Sequence, residues 1–283
     1  MTAFTAAAIQ FGAGLYAPEE NRARAEAEIR AAAAKGAKLI VLPELVVSGY
    51  GVDAARLSDA AEPLDGPTFA QWRDLAKSLD VVIVGGFCER AGDRLFNSAM
   101  LVQPNGSVSL YRKLHPFDAE KNIFTPGDLG LPIVETPLGN IGICVCYDLR
   151  FVEVARALSL AGADIIAVPT AWVGGFDRNP RDAMGYIGQA RGAIVQANLS
   201  QAAMVCASQS GGEQGIRFLG SSLIVDSFGE CLAGPMGEDE EGTLFADLDI
   251  AAIRASQVRS PLVRPRDDRR RDVYGVMLAG REI

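Results

Sequence analysis

The sequence is poor in histidine and cysteine, and this argues against metal and disulfide chemistry. Its 283 residues include one histidine and five cysteines, with no Cys-x-x-Cys pair. A structural zinc site normally takes four such ligands, often with paired cysteines, so we do not expect one. An odd and dispersed set of cysteines is typical of a reducing compartment rather than of a disulfide framework.

Long apolar runs and an excess of positive charge are also missing. No stretch approaches the roughly 18 apolar residues that a membrane span requires. The first residues lack the basic run and apolar core of a secretory signal. Acidic residues outnumber basic ones, 35 to 27, and the formal net charge of −8 disfavours nucleic acid and anionic membrane as partners. We therefore expect a cytoplasmic protein without a nucleic-acid or membrane partner.

Helices and apolar strands alternate at both ends of the chain, with hairpins between them. Residues 3–10 form one predicted strand, and the apolar run 38–45 forms another that ends at Pro43. The helix between them opens at Pro18 and stops at Gly36. Further helices are predicted at 66–79, 151–161 and about 182–199. Further strands are predicted at 81–87, 141–145, 164–169, 201–208 and 221–227. Hairpins are predicted to turn near 104–106 and 137–140.

This order predicts an α/β fold in which two sheets pack face to face with helices outside. Such an arrangement is a four-layer αββα sandwich, here forming a single domain over residues 1–257. From about Val258 the chain is charged and broken by proline. The tail 258–283 is interpreted either as an arm that lies on a partner subunit or as a solvated segment.

Cys146 is the candidate nucleophile, because an apolar strand ends there and polar residues follow at once. A strand-to-helix turn places backbone N–H groups near the sulfur, and a helix N-terminus favours negative charge. A cysteine nucleophile requires such exposure and such donors for an oxyanion. The remaining cysteines, Cys88, Cys144, Cys206 and Cys231, are interpreted as small apolar packing residues.

Three residues are candidates to act together with this thiol. Glu44 follows Leu42-Pro43 at the carboxyl end of a predicted strand, where ligand sites of α/β sheets lie, although it could instead cap a helix. Lys113, taken alone, is more typical of a solvated surface. His115 is the single histidine, so a Cys–His pair would have to use it. A spacing of two places Lys113 and His115 on one face of a strand, and periodicity does not choose between them.

Three segments together resemble the nitrilase (carbon–nitrogen hydrolase) superfamily, in the family's order. They are Leu42-Pro43-Glu44 with Gly49-Tyr50, then YRKLHPF at 111–117, then CYDLRF at 146–151. The similarity extends from about residue 4 to residue 250, and three ordered motifs are far more specific than one. The resemblance implies an αββα fold, assembly into a homodimer or a higher even-numbered oligomer, and no metal or organic cofactor.

The resemblance also implies roles for individual residues. The family's Glu–Lys–Cys triad falls on Glu44, Lys113 and Cys146, and in the family the histidine is not the base. A further family glutamate falls on Glu120, for which a solvated loop charge is the alternative. Where the family often has proline, this chain has Val152, and this change should alter the start of the helix but not the chemistry.

The residues after the cysteine indicate the branch of the family. True nitrilases usually have Cys-Trp-Glu, whereas Tyr147-Asp148 here resembles the amidase and carbamoylase branches. Carbamoyl-amino-acid hydrolases tend to carry a basic pair after the aspartate, and Leu149-Arg150 lacks its first member. We therefore expect an amidase that acts on a small amide through a thioester. An N-carbamoyl hydrolase, a Cys–His enzyme and a non-catalytic binding or scaffold protein are the alternatives.

Three aromatic residues are predicted to contact the substrate: Tyr50, Tyr147 and Trp172. Trp172 lies in the segment 169–176, which follows a predicted strand and is expected to line the pocket. Core packing is the alternative for Trp172, because tryptophans are highly buried on average.

Overall fold

The computed structural model describes residues 3–175, 178 and 181–283. Its strands are, in chain order, β1 (Ala3–Gln10), β2 (Ala37–Val41), β3 (Val82–Ala91), β4 (Arg94–Val102), β5 (Val108–Arg112), β6 (Ile133–Thr136), β7 (Gly139–Ile143), β8 (Ile165–Thr170), β9 (Ala203–Ser208), β10 (Gly212–Glu213), β11 (Ile216–Arg217), β12 (Leu223–Val225), β13 (Cys231–Ala233), β14 (Gly242–Asp249), β15 (Met277–Leu278) and β16 (Arg281–Glu282).

The helices are α1 (Pro18–Ala34), α2 (Ala54–Ala60), α3 (Pro67–Leu79), α4 (Val152–Leu160), α5 (Gly188–Ser200) and α6 (Ile250–Ala255). Two 3-10 helices, Asp118–Asn122 and Cys146–Arg150, follow strands β5 and β7. In the part of the chain that the structure describes, no helix is long and apolar enough to cross a membrane.

Two six-stranded sheets form the framework, with the orders β14-β1-β2-β3-β4-β5 and β13-β12-β9-β8-β7-β6. The pairs β1–β2 and β2–β3 are parallel, as are β7–β8 and β8–β9, while the flanking strands pair antiparallel. The main elements therefore occur twice in the same order, which is strand, helix, strand, helix and then three strands. The first set is β1, α1, β2, α3, β3, β4 and β5. The second set is β7, α4, β8, α5, β9, β12 and β13.

Apolar side chains on both faces of the sheets create the four layers. Residues such as Val41 and Ile143 meet between the sheets. The outer face of the first sheet packs on α1 and α3, and that of the second sheet packs on α4 and α5. Central strands buried on both faces require continuous apolar runs, which is why those runs were recognisable in the sequence. The predicted αββα sandwich in a single domain is confirmed.

Two predicted boundaries differ from the structure. The strand predicted to end at Pro43 ends two residues earlier, at Val41, because Pro43 lacks the N–H that would continue the ladder. The helix predicted from about 182 begins at Gly188. Before it, the Asp182 side chain accepts hydrogen bonds from the backbone N–H groups of Met184 and Tyr186, and this local turn competes with the helix.

The tail after residue 257 lies against the end of α5. The Arg259 guanidinium donates to the Ser227 carbonyl at 2.9 Å, and Arg266 donates to the carbonyls of Ser200 and Gln201 at 3.1 and 3.2 Å. The tail is therefore attached to its own subunit along part of its length. Its contact with a partner subunit stays a prediction, as does the boundary at residue 257.

Candidate active site

The candidate site lies where parallel strands of both sheets end. Glu44 follows β2 and Cys146 follows β7. The Glu44 N–H donates to the Thr170 carbonyl at the end of β8, at 3.2 Å, so the loops of the two sheets are joined there. Carboxyl ends of parallel strands are where α/β folds collect functional side chains.

A buried lysine joins two buried carboxylates. Lys113 Nζ lies 2.7 Å from Glu44 Oε1 and 2.9 Å from Glu120 Oε1. The three residues are 1%, 0% and 3% exposed. Lysine is almost never fully buried unless it is paired, and an unpaired charge here would cost several kcal/mol. Lys113 is therefore not the solvated surface residue that its residue type alone would predict. Glu120 is likewise not a solvated loop charge.

Glu120 is held by two further donors. The Tyr50 hydroxyl donates to its Oε1, and the Phe117 backbone N–H donates to its Oε2 at 3.0 Å. The 3-10 helix Asp118–Asn122 presents the carboxylate to Lys113. Tyr50, which was predicted to contact substrate, therefore has the Glu120 carboxylate as a direct partner.

Glu44 has a second side-chain partner that the sequence analysis missed. Asn97 Nδ2 donates to Glu44 Oε1 at 2.7 Å, and Gln209 Nε2 donates to the Glu44 backbone carbonyl at 2.8 Å. Among the residues that the structure describes, the other carboxylate oxygen, Oε2, has no hydrogen-bond partner. An asparagine inside a predicted strand is unfavourable, and this was the available signal for Asn97.

Burial and charge set the protonation of this cluster. Burial raises the pKa of Glu44, and the Lys113 charge only partly opposes that effect. Burial by itself would lower the pKa of Lys113, but the negative charges of Glu120 and Glu44 more than offset it and raise that pKa. Lys113 is therefore a cation and a hydrogen-bond donor at neutral pH, not a base.

Cys146 opens its 3-10 helix with a backbone φ of +47°. Such a conformation is uncommon for a residue other than glycine and is concentrated at functional sites. Burial and then the Glu44 charge raise the pKa of the Cys146 thiol well above its usual value, while Lys113, the Thr170 hydroxyl and the Ala171 backbone lower it. The resting group is thus a thiol, which needs a base to become a nucleophile.

Asp148 ties the Cys146 turn to the loop that carries Lys113. Its buried carboxylate accepts hydrogen bonds from the Tyr111 hydroxyl at 2.6 Å and from the Val145 N–H at 3.0 Å. It also contacts both the backbone N–H and the Nδ1 of His115, at 3.0 and 2.8 Å. In the sequence, Asp148 was recognisable only as a marker of the family branch, and this role as a connector was missed.

Lys113 and His115 do not share a face. Strand β5 ends at Arg112, so the alternation of a strand no longer applies to the two residues. Lys113 turns toward the carboxylates, while the His115 ring contacts Asp148 and stacks on Phe151 with centroids 3.7 Å apart.

A cavity beside Cys146 has a mainly apolar lining. Its other lining residues are Phe117, Tyr147, Leu149, Arg150, Ala171, Trp172, Val173, Gly188, Gln189 and Gly192. Trp172 is also part of the core under the second sheet, so it packs and lines the cavity at once. Tyr50 lines a neighbouring cavity with Glu120 and Arg217. Phe176, in the segment predicted to line the pocket, lies outside the described residues.

Metal ligands are not gathered anywhere in the described ranges 3–175, 178 and 181–283. No group of three or more His, Cys, Asp or Glu side chains is arranged there to hold a metal ion.

Comparison with known proteins identifies the class. A family model described as carbon-nitrogen hydrolase matches residues 5–257. The chain is 34% identical over 268 residues to a nitrilase of Pyrococcus abyssi, covering 94% of this chain and 97% of that protein. The chain therefore belongs to the carbon–nitrogen hydrolase family, as its motifs predicted, and it is a hydrolase.

Several of the relatives whose names state an activity are amidases. N-carbamoylputrescine amidase of Solanum lycopersicum is 34% identical over 291 residues, covering 97% of this chain and 94% of that protein. An (R)-stereoselective amidase of Pseudomonas sp is 32% identical over 220 residues, covering 77% and 76%. The structure of a Helicobacter pylori carbon-nitrogen hydrolase matches with a TM-score of 0.84 at 28% identity, covering 96% of this chain and 97% of that one.

Proposed function

We propose that the protein is an amidase that hydrolyses a small amide through a thioester on Cys146. The observation that carries this proposal is the fully buried Glu44–Lys113–Glu120 cluster beside a thiol at the end of β7. A buried ionic cluster of this kind is costly for stability, so a purely structural role does not account for it. Strongly perturbed groups in a cavity are candidates for catalysis.

In the first step, Glu44 accepts the thiol proton and the Cys146 sulfur bonds to the amide carbon. The carbonyl electron pair moves to oxygen, which becomes an oxyanion. The Lys113 ammonium and the Tyr147 backbone N–H donate hydrogen bonds to that oxygen. Each donor of this type is typically worth roughly 3–4 kcal/mol of barrier.

In the second step, the carbon–nitrogen bond breaks and Glu44 returns the proton to the departing nitrogen. Ammonia or an amine leaves, and a thioester remains on Cys146. Glu44, with Glu120 nearby, then takes a proton from water as the water oxygen attacks the thioester carbon. Collapse of that intermediate releases the carboxylic acid, and the proton on Glu44 restores the Cys146 thiol.

The cavity lining supports an uncharged acyl group. Most of its side chains are apolar, including Phe117, Leu149 and Trp172. A carboxylate-bearing substrate would need an arginine. Arg150 lines the cavity, whereas Arg191 pairs with Asp182 at 2.7 Å and lies over the Tyr186 ring, 4.2 Å from its centroid. The mainly apolar lining favours a small neutral amide.

Hydrolysis of an N-carbamoyl compound is the second candidate. It is favoured by the N-carbamoylputrescine amidases among the relatives, which align over nearly the whole chain. A Cys–His mechanism is less well supported, because Glu44 and Lys113 are the charged groups that act most strongly on the Cys146 thiol.

Specificity constants for a matched set of substrates test the proposal. We expect kcat/KM for an aliphatic amide to exceed by far that for the corresponding nitrile. An amide yields an oxyanion directly, whereas a nitrile yields a thioimidate that needs protonation at nitrogen. A nitrile advantage would place the protein with nitrilases, and an N-carbamoyl advantage would establish the second candidate.

We also propose that the protein forms a cytoplasmic homodimer or a higher even-numbered oligomer. Apolar side chains are exposed on α5 and in the tail, among them Val195, Leu199 and Leu262 at 53%, 53% and 90%. A two-fold interface would cover such side chains on both copies. Light scattering at micromolar concentration tests this, and a strict monomer would contradict it.

A further inference from the structure

Asn97 contacts both Glu44 and Lys113, through different groups. It lies on β4, and its backbone carbonyl accepts a hydrogen bond from the Lys113 N–H at 2.8 Å. Its side-chain Nδ2 donates to Glu44 Oε1 at 2.7 Å. Asn97 is 1% exposed and Glu44 is 0% exposed, so water does not compete with this bond. One strand residue thus connects the proposed base to the proposed oxyanion donor.

The two oxygens of the Glu44 carboxylate are therefore unequal. Oε1 accepts from both Lys113 Nζ and Asn97 Nδ2, each at 2.7 Å. A carboxylate oxygen has about two lone-pair sites, so Oε1 is saturated. Oε2 is buried and has no hydrogen-bond partner within the described part of the chain. A proton that arrives at this carboxylate has a free site only on Oε2.

The asparagine side chain itself is not explained by packing. With Nδ2 directed at Glu44, its Oδ1 is buried without a partner among the described residues. The opposite orientation would place two acceptors, Oδ1 and Oε1, against each other. A buried carbonyl without a partner is destabilising, and an apolar side chain would avoid that penalty. The donor to Glu44 is the feature that an apolar side chain would lose.

We propose that Asn97 is a positioning residue that saturates Glu44 Oε1 and thereby makes Oε2 the oxygen that exchanges a proton with Cys146. This inference rests on the proposed function for the role of Glu44 as base. Removing the donor has two consequences. The anionic form of Glu44 loses a hydrogen bond, so its proton affinity rises, and the carboxylate loses the contact that holds its orientation.

Alkylation of Cys146 by iodoacetamide tests this without any substrate. The rate at Cys146, followed by mass spectrometry across the pH range, is compared in wild type, Asn97→Ala and Asn97→Asp. Glu44→Gln identifies the part of the profile that belongs to Glu44. Ser98→Ala is the matched control, because Ser98 is the next residue on β4 and donates to a different buried carboxylate, Glu89 Oε2, at 2.6 Å.

We expect Asn97→Ala to move the acid limb of the profile, where alkylation slows as the pH falls, to higher pH by about one unit. At a given pH on that limb, alkylation of the variant is then about tenfold slower. Asn97→Asp should move it further, because it replaces the donor by a second acceptor of the same shape. Ser98→Ala should leave the limb in place. If Asn97→Ala does not fold, the isosteric Asn97→Asp supplies the measurement.

An acid limb at its wild-type position in the Asn97 variants would overturn the inference. That result is separable from failure of the proposed function. A wild-type protein that hydrolyses amides but shows no shift in the variants contradicts only the role of Asn97. A clear shift in a protein that hydrolyses no amide contradicts the amidase proposal and keeps the role of Asn97.

Discussion

Replacing Asp148 with alanine should reduce the free energy of unfolding by about 4 kcal/mol. The substitution removes the acceptor of the Tyr111 hydroxyl and of the Val145 N–H, both of which belong to fully buried residues. A buried donor left without a partner costs about 1–3 kcal/mol, so two of them cost roughly 2–6 kcal/mol. The His115 side chain is 32% exposed and its ring can turn to water, so the ring donor adds little.

Urea unfolding followed by circular dichroism and tryptophan fluorescence measures this loss. Asp148→Asn keeps the shape and one carbonyl oxygen, so about half of the loss is expected. Asp182→Ala is the control, because Asp182 also accepts from two backbone N–H groups but lies at the surface, where water replaces it. A loss below about 1 kcal/mol for Asp148→Ala, or one no larger than for the control, would refute the reasoning.

Folded Asp148→Ala should also turn over substrate more slowly. The Asp148 carboxylate joins the Cys146 turn to the loop that carries Lys113, and small misplacements of reacting groups are costly for the rate. The fall should appear in kcat at a temperature where the variant is fully folded. Unchanged kcat in folded protein would show that the turn keeps its position without Asp148.

Three further outcomes follow from the site. Cys146→Ser should abolish hydrolysis with the fold intact, whereas Cys144→Ser, at a fully buried position, should keep most activity. Faster alkylation of Cys144 than of Cys146 would contradict the assignment of Cys146 as the nucleophile. Lys113→Ala should lower kcat/KM by about 100-fold or more, whereas His115→Ala should lower it only mildly. Circular dichroism checks that both variants are folded. The opposite order of the two effects would indicate a Cys–His enzyme. Activity should decline on the acid side at a pH above the ordinary pKa of glutamate, because burial raises the pKa of Glu44 and only ionised Glu44 accepts the thiol proton. A decline at the ordinary value would contradict that role.

The sequence predicted the contacts among Glu44, Lys113 and Glu120 only through the family resemblance. Hydrophobic periodicity located the strands that precede them, but it gave Lys113 no reason to be buried. The partners that orient the cluster were missed. Asn97 is 53 residues from Glu44, and Asp148 is 37 from Tyr111, so their contacts depend on strand register and on the packing of one sheet against the other.

Turn chemistry explains the remaining differences. The position of Glu44 after a strand was predicted correctly, and that strand ends at Val41, two residues before the predicted end at Pro43. The start of α5 moved because the Asp182 side chain forms its own local turn. Such side-chain hydrogen bonds are set by few residues and leave no periodic signal in the sequence.

The repeated order of strands and helices divides the site between two halves of one chain. Glu44 follows Pro43 after β2, and Thr170 follows Pro169 at the end of β8, so the two residues occupy corresponding places in their halves. One half contributes Glu44, Lys113 and Glu120, and the other contributes Cys146 and most of the lining of the cavity. The alignment of the proposed base with the proposed nucleophile therefore depends on the apolar layer between the sheets. A change in the volume of Val41 or Ile143 would thus alter the distance between Glu44 and Cys146 without removing any polar group.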